Sequence, residues 1–120
     1  IHFVLTFNKQ GRVRLGRWYS TFTPKEKTRY TKEAISNILS RREKDCSFVI
    51  WRDYTLVYKR YASLYFMMAI DNTDNELITL EMIHRFVVIL DKVFLNICEL
   101  DLIYEFEKVC YIYVFYPLTI

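Results

Sequence analysis

Glycine and proline are scarce in this chain of 120 residues, which contains two of each. Because these residues mark most turns and helix ends, their scarcity predicts short connections between long regular elements. The chain also lacks an uninterrupted apolar run near the roughly 20 residues that a membrane-spanning helix needs. Residues 1–7 lack the basic start and the small-residue cleavage site of a secretory signal peptide, so we expect none. With 52% hydrophobic and 18% aromatic residues, the composition predicts a single packed domain over residues 1–120.

Cysteine is limited to three widely separated positions, Cys46, Cys98 and Cys110. An odd number without CxxC or Cys/His spacing argues against a disulfide framework and against a zinc site. We therefore expect reduced, buried thiols. The net charge of +3 is far below the clustered basic excess that is typical of nucleic-acid-binding domains.

The first half of the chain changes from strand periodicity to helix periodicity. Residues 1–7 alternate with a period of two, residues 8–11 supply a turn, and residues 12–19 alternate again. Thr23 can cap a helix that begins at Pro24, and Glu26 completes a capping box. The pattern therefore predicts a hairpin and then a helix that reaches the charged loop at residues 41–45.

The second half of the chain predicts a meander followed by helices. Three β-rich runs occupy residues 46–51, 55–59 and about 62–70, with short breaks at residues 53–54 and 60–61. After the polar residues 71–75, apolar positions from Leu77 to Phe94 step by three or four and predict a long amphipathic helix. A last helix is predicted from Leu100. The order β-β-α-β-β-β-α-α indicates an α+β domain in which helices cover an antiparallel sheet.

No group of residues in the sequence indicates catalysis. His84 lies among apolar helix positions and is predicted at the rim of the core, and His2 is predicted to be solvated. Asp71, Asp74 and Glu76 resemble part of a calcium loop, but helix capping explains them better because the required Gly and distal Glu are missing. The Tyr-Lys-Arg-Tyr run at residues 58–61 suggests RNA stacking, yet no RNP-like motif accompanies it. We expect no enzyme, no cofactor, no metal and no nucleic-acid partner.

Several strings along the chain are specific rather than compositional. They are Trp18-Tyr19, Ser47-Phe48, Trp51-Arg52-Asp53, the run from Val57 to Phe66, Asp74-Asn75-Glu76-Leu77, Leu80-Glu81-x-Ile83-His84 and Val93-Phe94-x-x-Ile97-Cys98-Glu99-Leu100-Asp101. Together they resemble the small (sigma) subunits of clathrin-associated adaptor complexes over about residues 3–110. The resemblance is greatest to the sigma subunit of the trans-Golgi/endosomal complex. It implies a longin-like (SNARE-like) fold with a five-stranded antiparallel sheet covered by helices.

The resemblance also implies a non-catalytic role in vesicle coat assembly and protein transport. The expected partners are a large adaptin, most similar to the gamma type, with a second large subunit and a medium subunit in a heterotetramer. Clathrin would be reached indirectly, and the complex would lie on the cytoplasmic side of trans-Golgi network and endosome membranes and on coated vesicles. The alternative is a longin-type domain of another trafficking machine, such as a coatomer zeta subunit or a SNARE regulator.

Sigma subunits contribute to binding of the acidic dileucine signal [DE]xxxL[LI] in cargo tails. Carried over residue by residue, the leucine-binding surface falls on Ala62, Leu64, Val87, Asn96, Ile97 and Leu100. Arg14 matches the family position that favours the acidic residue of the signal. Periodicity alone favours plain core for Leu64, Val87 and Leu100, and a solvated strand face for the arginines of the second strand.

Three departures from the family pattern concern the surface and the end of the chain. Ile50 and Val88 stand where the family usually has acidic residues. After Val109 the family continues its helix with acidic residues, whereas this chain runs through apolar residues to Pro117, which cannot continue a helix. We therefore expect a divergent or truncated C-terminus after about residue 110.

Overall fold

The structure, a computed structural model, describes residues 1–61 and 63–94. Its elements in chain order are β1 (Phe3–Asn8), β2 (Val13–Trp18), α1 (Pro24–Leu39), β3 (Phe48–Trp51), β4 (Tyr54–Tyr61), β5 (Leu64–Asp71) and α2 (Glu76–Phe94). This order confirms the first seven predicted elements. The helix predicted from Leu100, the C-terminus after residue 110 and the thiols of Cys98 and Cys110 lie outside the described residues.

The five strands form one antiparallel sheet in the order β2-β1-β5-β4-β3. β1 and β5 are therefore interior strands, although β1 comes first in the chain. β5 pairs with β1 on one side, where Leu64 lies opposite Asn8. It pairs with β4 on the other side, where Asp71 lies opposite Tyr54. The predicted five-stranded antiparallel sheet is confirmed.

The two helices cover opposite faces of this sheet. Side chains that alternate along a strand point to opposite faces, and the buried residues divide accordingly. The α1-side core contains Phe3, Leu5, Phe7, Ala34, Ile35, Ile38, Trp51, Leu56, Met67 and Ala69. The α2-side core contains Val4, Leu15, Val57, Leu64, Phe66, Met68, Ile70, Ile83, Phe86 and Val87. Because both faces are covered, β5 reads as a nearly continuous apolar run.

Local signals place the turns and helix starts as predicted. Gly11 has a positive φ of 82° in the β1–β2 turn, where Asn8 Oδ1 accepts hydrogen bonds from the backbone N–H groups of Gln10 and Arg12, both at 3.0 Å. Thr23 and Glu26 form both hydrogen bonds of the capping box at the start of α1. Asn75 Oδ1 accepts from the second and third N–H groups of α2, which confirms a helix cap in the polar loop. Capping is wrong for Asp71 and Asp74, because the Asp74 carboxylate accepts from the Asp71 backbone N–H at 3.1 Å and the Asp71 carboxylate contacts His2.

Several strand boundaries and exposures differ from the sequence-based expectation. β3 begins at Phe48, and the Cys46 thiol before it is exposed, so its predicted burial is wrong. The break after β3 falls at residues 52–53, where Arg52 takes a positive φ of 54°, and β4 continues through the break predicted at residues 60–61. His84 is exposed on α2 and does not lie at the rim of the core.

Candidate functional site

The structure describes three of the seven predicted site residues, Arg14, Leu64 and Val87. Ala62, Asn96, Ile97 and Leu100 lie outside the described residues. The geometry of the predicted leucine-binding surface therefore rests on the end of the sheet where β5 begins and on the middle of α2.

Leu64 and Val87 belong to the same α2-side core. Leu64 is the first residue of β5, and Val87 lies on α2 one residue after Phe86, whose ring packs edge-to-face against Phe66 with centroids 6.1 Å apart. The exposed fractions of Leu64 and Val87 are 1% and 4%. The structure thus brings the two residues into one cluster, and within the chain both side chains are covered.

Arg14 lies in an irregularity of the edge strand β2. Thr6 pairs with Leu15 and Phe7 pairs with Val13, which leaves Arg14 as the extra residue of a β-bulge. Its side chain is half-buried. Because Phe7 also pairs with Tyr65, Arg14 lies at the same end of the sheet as Leu64, about 10 Å away across two strand spacings.

The neighbouring arginines make this edge of the sheet basic. Arg12 in the turn before β2 and Arg17 within β2 are both exposed, as expected for a solvated face. Tyr19, which is 50% exposed, follows β2, and the partial burial of its phenol raises the pKa of that group in spite of the opposing effect of the Arg17 charge. Arg14 is the least exposed of the three arginines, and it is the one that the family resemblance assigns to the signal.

Both apolar departures from the family pattern lie on the surface. Ile50 on the edge strand β3 is 75% exposed, and Val88 on α2 is 37% exposed. Leu77 and Ile78 in the first turn of α2 are also exposed. Thr55, which pairs with Ile50, donates a hydrogen bond of 2.8 Å to Asn72 in the loop before α2. Ile50, Leu77 and Ile78 therefore lie toward the end of the sheet at which α2 begins, whereas Val88 lies ten residues further along that helix.

Sequence reasoning missed a basic cleft on the other face of the sheet. The end of α1, the loop after it, and strands β4 and β5 enclose a cavity of about 620 Å³ that is lined in part by Arg41, Arg42 and Arg60. The signal for this cleft in the sequence is the Tyr-Lys-Arg-Tyr run of β4, in which Tyr58 and Arg60 alternate onto the same face of the sheet. Its partner Arg41 lies 17 positions earlier, beyond the reach of a local motif.

Within residues 1–61 and 63–94, no helix is both long and apolar enough to cross a bilayer. In those ranges there is also no cluster of three His, Cys, Asp or Glu side chains arranged to hold a metal ion.

Comparison with known proteins identifies the family. The family model described as clathrin adaptor complex small chain matches residues 1–114. The AP-1 complex subunit sigma-1 of Dictyostelium discoideum is 62% identical over 108 residues, which cover 90% of this chain and 69% of that protein. The AP-1 complex subunit sigma-3 of Homo sapiens is 55% identical over 112 residues, covering 93% and 73%.

The fold has a counterpart among known structures as well. A chain in the homology model of the full-length AP-3 complex in a stretched open conformation superposes with a TM-score of 0.76 and 29% identity, covering 91% of this chain and 76% of that one. The longin-like α+β fold implied by the resemblance is thereby confirmed. The sheet, the two helices and the match along residues 1–114 together show that this chain belongs to the clathrin adaptor complex small chain family.

Proposed function

We propose that this chain is the sigma subunit of a heterotetrameric clathrin adaptor complex that acts in vesicle-mediated protein transport. The observation that carries this proposal is the family match over nearly the whole chain, with AP-1 sigma subunits as relatives. These relatives are adaptor complex subunits and not enzymes, which agrees with the expectation from sequence. The partners would be a gamma-type large adaptin, a second large subunit and a medium subunit, with clathrin bound indirectly. The site of action would be the cytoplasmic face of trans-Golgi network and endosome membranes.

The chain would also contribute half of a site for acidic dileucine signals. Leu64 and Val87, joined by Ala62, Asn96, Ile97 and Leu100, would contact the two leucines. The supporting geometry is the shared core of Leu64 and Val87 and the position of Arg14 at the same end of the sheet. Burial of two leucine side chains supplies roughly 1.5–3 kcal/mol each before the costs of association.

The burial of Leu64 and Val87 sets a requirement for this site. Since both side chains are covered within the chain, leucines can reach them only if neighbouring side chains move aside. Such an opening exposes apolar surface until the peptide fills it, so the adaptin partner would have to stabilise the open form. Peptide affinity should therefore be higher for the assembled complex than for the isolated chain.

The charge of Arg14 gives the direct test of signal binding. We expect Arg14→Glu to lower the affinity of the assembled complex for a dileucine peptide at least tenfold, because the acidic residue of the signal then meets a like charge. Arg12→Glu, an exposed neighbour in the turn, is the matched control and should change affinity much less. Fluorescence anisotropy at low and high salt measures both, and the wild-type affinity should fall with salt. Equal losses for the two variants would assign Arg14 to general surface charge.

A second experiment separates a leucine pocket from sealed core at Val87. Val87→Leu adds one methylene, which in sealed core costs about 1–3 kcal/mol of folding stability. In a pocket that opens for leucine, Val87→Leu should lower the affinity for the peptide, while complex recovery and melting temperature change little. Ile83→Val, one turn earlier in the same core, should lower stability by about 0.5–1.5 kcal/mol and leave peptide affinity intact. If Val87→Leu lowers folding stability and leaves peptide affinity unchanged, Val87 does not line a leucine pocket.

A further inference from the structure

We propose that the basic cleft at the end of α1 is a binding site for a phosphate monoester. It is lined by Ile38, Arg41, Arg42, Glu43, Asp45, Ser47, Tyr58, Lys59, Arg60 and Tyr65. Tyr58 and Tyr65 pack against the α1-side core, whereas Leu64 and Val87 lie in the α2-side core. The cleft is therefore on the opposite face of the sheet from the proposed dileucine site, and it does not depend on that site.

Arg41 is held in the cleft with part of its guanidinium unused. Its Nε donates to the Tyr58 hydroxyl at 3.0 Å, and its Nη2 donates to the Cys46 carbonyl oxygen at 2.8 Å. Within the described part of the chain, Nη1 has no acceptor and no carboxylate lies within salt-bridge distance of Arg41. A fixed guanidinium with free N–H groups needs little reordering to bind an anion, so less conformational entropy is lost on binding.

A tyrosine ring lies beside each of two arginines of the cleft, Arg41 and Arg60. The Arg41 guanidinium lies 6.0 Å from the centroid of the Tyr58 ring, and that of Arg60 lies 5.7 Å from the Tyr65 ring. Tyr65 in turn stacks on Phe7 in the core, with centroids 5.3 Å apart and planes within 4°. Each guanidinium thus lies beside a tyrosine ring that packs against the α1-side core, which limits its freedom in the cleft.

The charges lining the cleft favour a doubly charged ligand. Four cationic and two acidic side chains line it, which leaves a net charge of +2. Asp45 is already engaged, since its carboxylate accepts from the Arg42 backbone at 2.9 Å and from Arg42 Nη2 at 3.4 Å. A phosphate monoester carries a charge of about −1.5 to −2 near pH 7 and offers three acceptor oxygens, whereas a single carboxylate carries −1.

The remaining carboxylate, Glu43, allows a variant that should strengthen phosphate binding, whereas general destabilisation of the fold would weaken it. Glu43 is exposed at the cleft and makes no hydrogen bond or ion pair among the described residues. It repels an incoming phosphate, so its neutralisation should strengthen binding. Removal of the Arg41 charge should have the opposite effect. The phosphate can come from a lipid headgroup or from a soluble phosphorylated molecule, and the chemistry of the cleft is the same for both.

The test is titration of the full chain with glycerol 3-phosphate, followed by NMR chemical shifts and calorimetry. We expect Arg41→Gln to weaken binding at least tenfold, Tyr58→Phe to weaken it several-fold, and Glu43→Gln to tighten it two- to fivefold. Arg29→Gln is the matched control, because Arg29 also lies over a tyrosine ring, that of Tyr30 at 5.4 Å, but outside the cleft. Equal weakening by Arg41→Gln and Arg29→Gln, or no tightening by Glu43→Gln, would overturn the proposal.

Vesicles distinguish the two sources of the phosphate. Phosphatidic acid presents a phosphate monoester, and phosphatidylserine at equal surface charge presents a diester with a carboxylate. Arg41-dependent preference for phosphatidic acid vesicles identifies a lipid headgroup, whereas Arg41-dependent binding of glycerol 3-phosphate alone identifies a soluble ligand. Both results support the cleft. Binding that follows vesicle charge only, with the same response in Arg41→Gln and in wild type, contradicts it.

Discussion

At the scale of single residues, His2 ties three distant segments together. Its Nδ1 lies 2.7 Å from Ser20 Oγ, its Nε2 contacts the Asp71 carboxylate, and its ring lies 4.8 Å from that of Tyr54. The expectation of a solvated His2 is therefore wrong. Sequence could not indicate these contacts, because 18 and 69 positions separate His2 from its two hydrogen-bond partners, and only the pairing of β1 with both β2 and β5 brings them together.

The Asp71 contact predicts an acid-dependent loss of stability. The hydrogen bond from His2 lowers the pKa of Asp71 below its usual value of 3.8. A lowered pKa in the folded state stabilises the fold above pH 3.8, and this contribution is lost as the pH falls through the folded-state pKa. We expect Asp71→Asn to be less stable than wild type at pH 6 and the difference to shrink below pH 4.

Urea denaturation between pH 3 and pH 6 measures the effect of Asp71→Asn. Asp53→Asn, a change of another exposed carboxylate near the sheet end, serves as the control. The interpretation fails if the difference between Asp71→Asn and wild type stays constant over this pH range.

At the scale of elements, the capping box of α1 is a measurable contribution to stability. Thr23 accepts from the Glu26 backbone at 3.2 Å, and the Glu26 carboxylate accepts from the Thr23 backbone at 3.2 Å, which lowers the pKa of Glu26. We expect Thr23→Ala to lower the free energy of unfolding by about 1 kcal/mol, since one N–H group loses its acceptor. Ser36→Ala on the exposed side of α1 should be neutral or slightly stabilising. Thermal and urea denaturation measure the stability of both variants. Equal losses of stability would show that the cap makes no specific contribution.

The elements that were predictable are those with local signals. α1 follows from its capping box, α2 from the 3.6-residue period, and the β1–β2 hairpin from alternation around Gly11. The β3–β4 turn was misplaced by one residue because Arg52 adopts a positive φ, a conformation that its residue type does not signal. The proposed leucine-binding site rests on the family resemblance, because the burial of Leu64 and Val87 fits plain core equally well.

At the scale of the whole molecule, exposed apolar residues leave one region uncovered. Ile50, Leu77 and Ile78 are 75%, 67% and 56% exposed at the same end of the α2 face. Exposed large apolar side chains near one another are typical of interaction sites and promote self-association. The isolated chain should therefore self-associate, and a large adaptin should raise its melting temperature.

Sedimentation velocity tests this prediction on the isolated chain. Ile50→Asp should shift the distribution toward monomer, because it restores a charge on an unpaired strand edge. Lys59→Gln, an exposed change on the neighbouring strand β4 that also lowers the net charge by one unit, controls for the change of net charge. A strictly monomeric wild-type chain at high concentration, with no gain in melting temperature on addition of adaptin, would refute the prediction.

The interior position of β1 has a consequence for synthesis of the chain. β1 needs β5 as its second neighbour, yet Leu64 leaves the ribosome roughly 3 to 11 s after Asn8, its pairing partner, at ordinary elongation rates. During that interval the nascent hairpin has one open side with apolar residues on both faces, and the sheet can close only after the β4–β5 meander appears. Slow translation between residues 9 and 63 should therefore lengthen the time during which chaperones bind the nascent chain, and ribosome profiling of chaperone-bound nascent chains would show engagement that ends after β5 emerges.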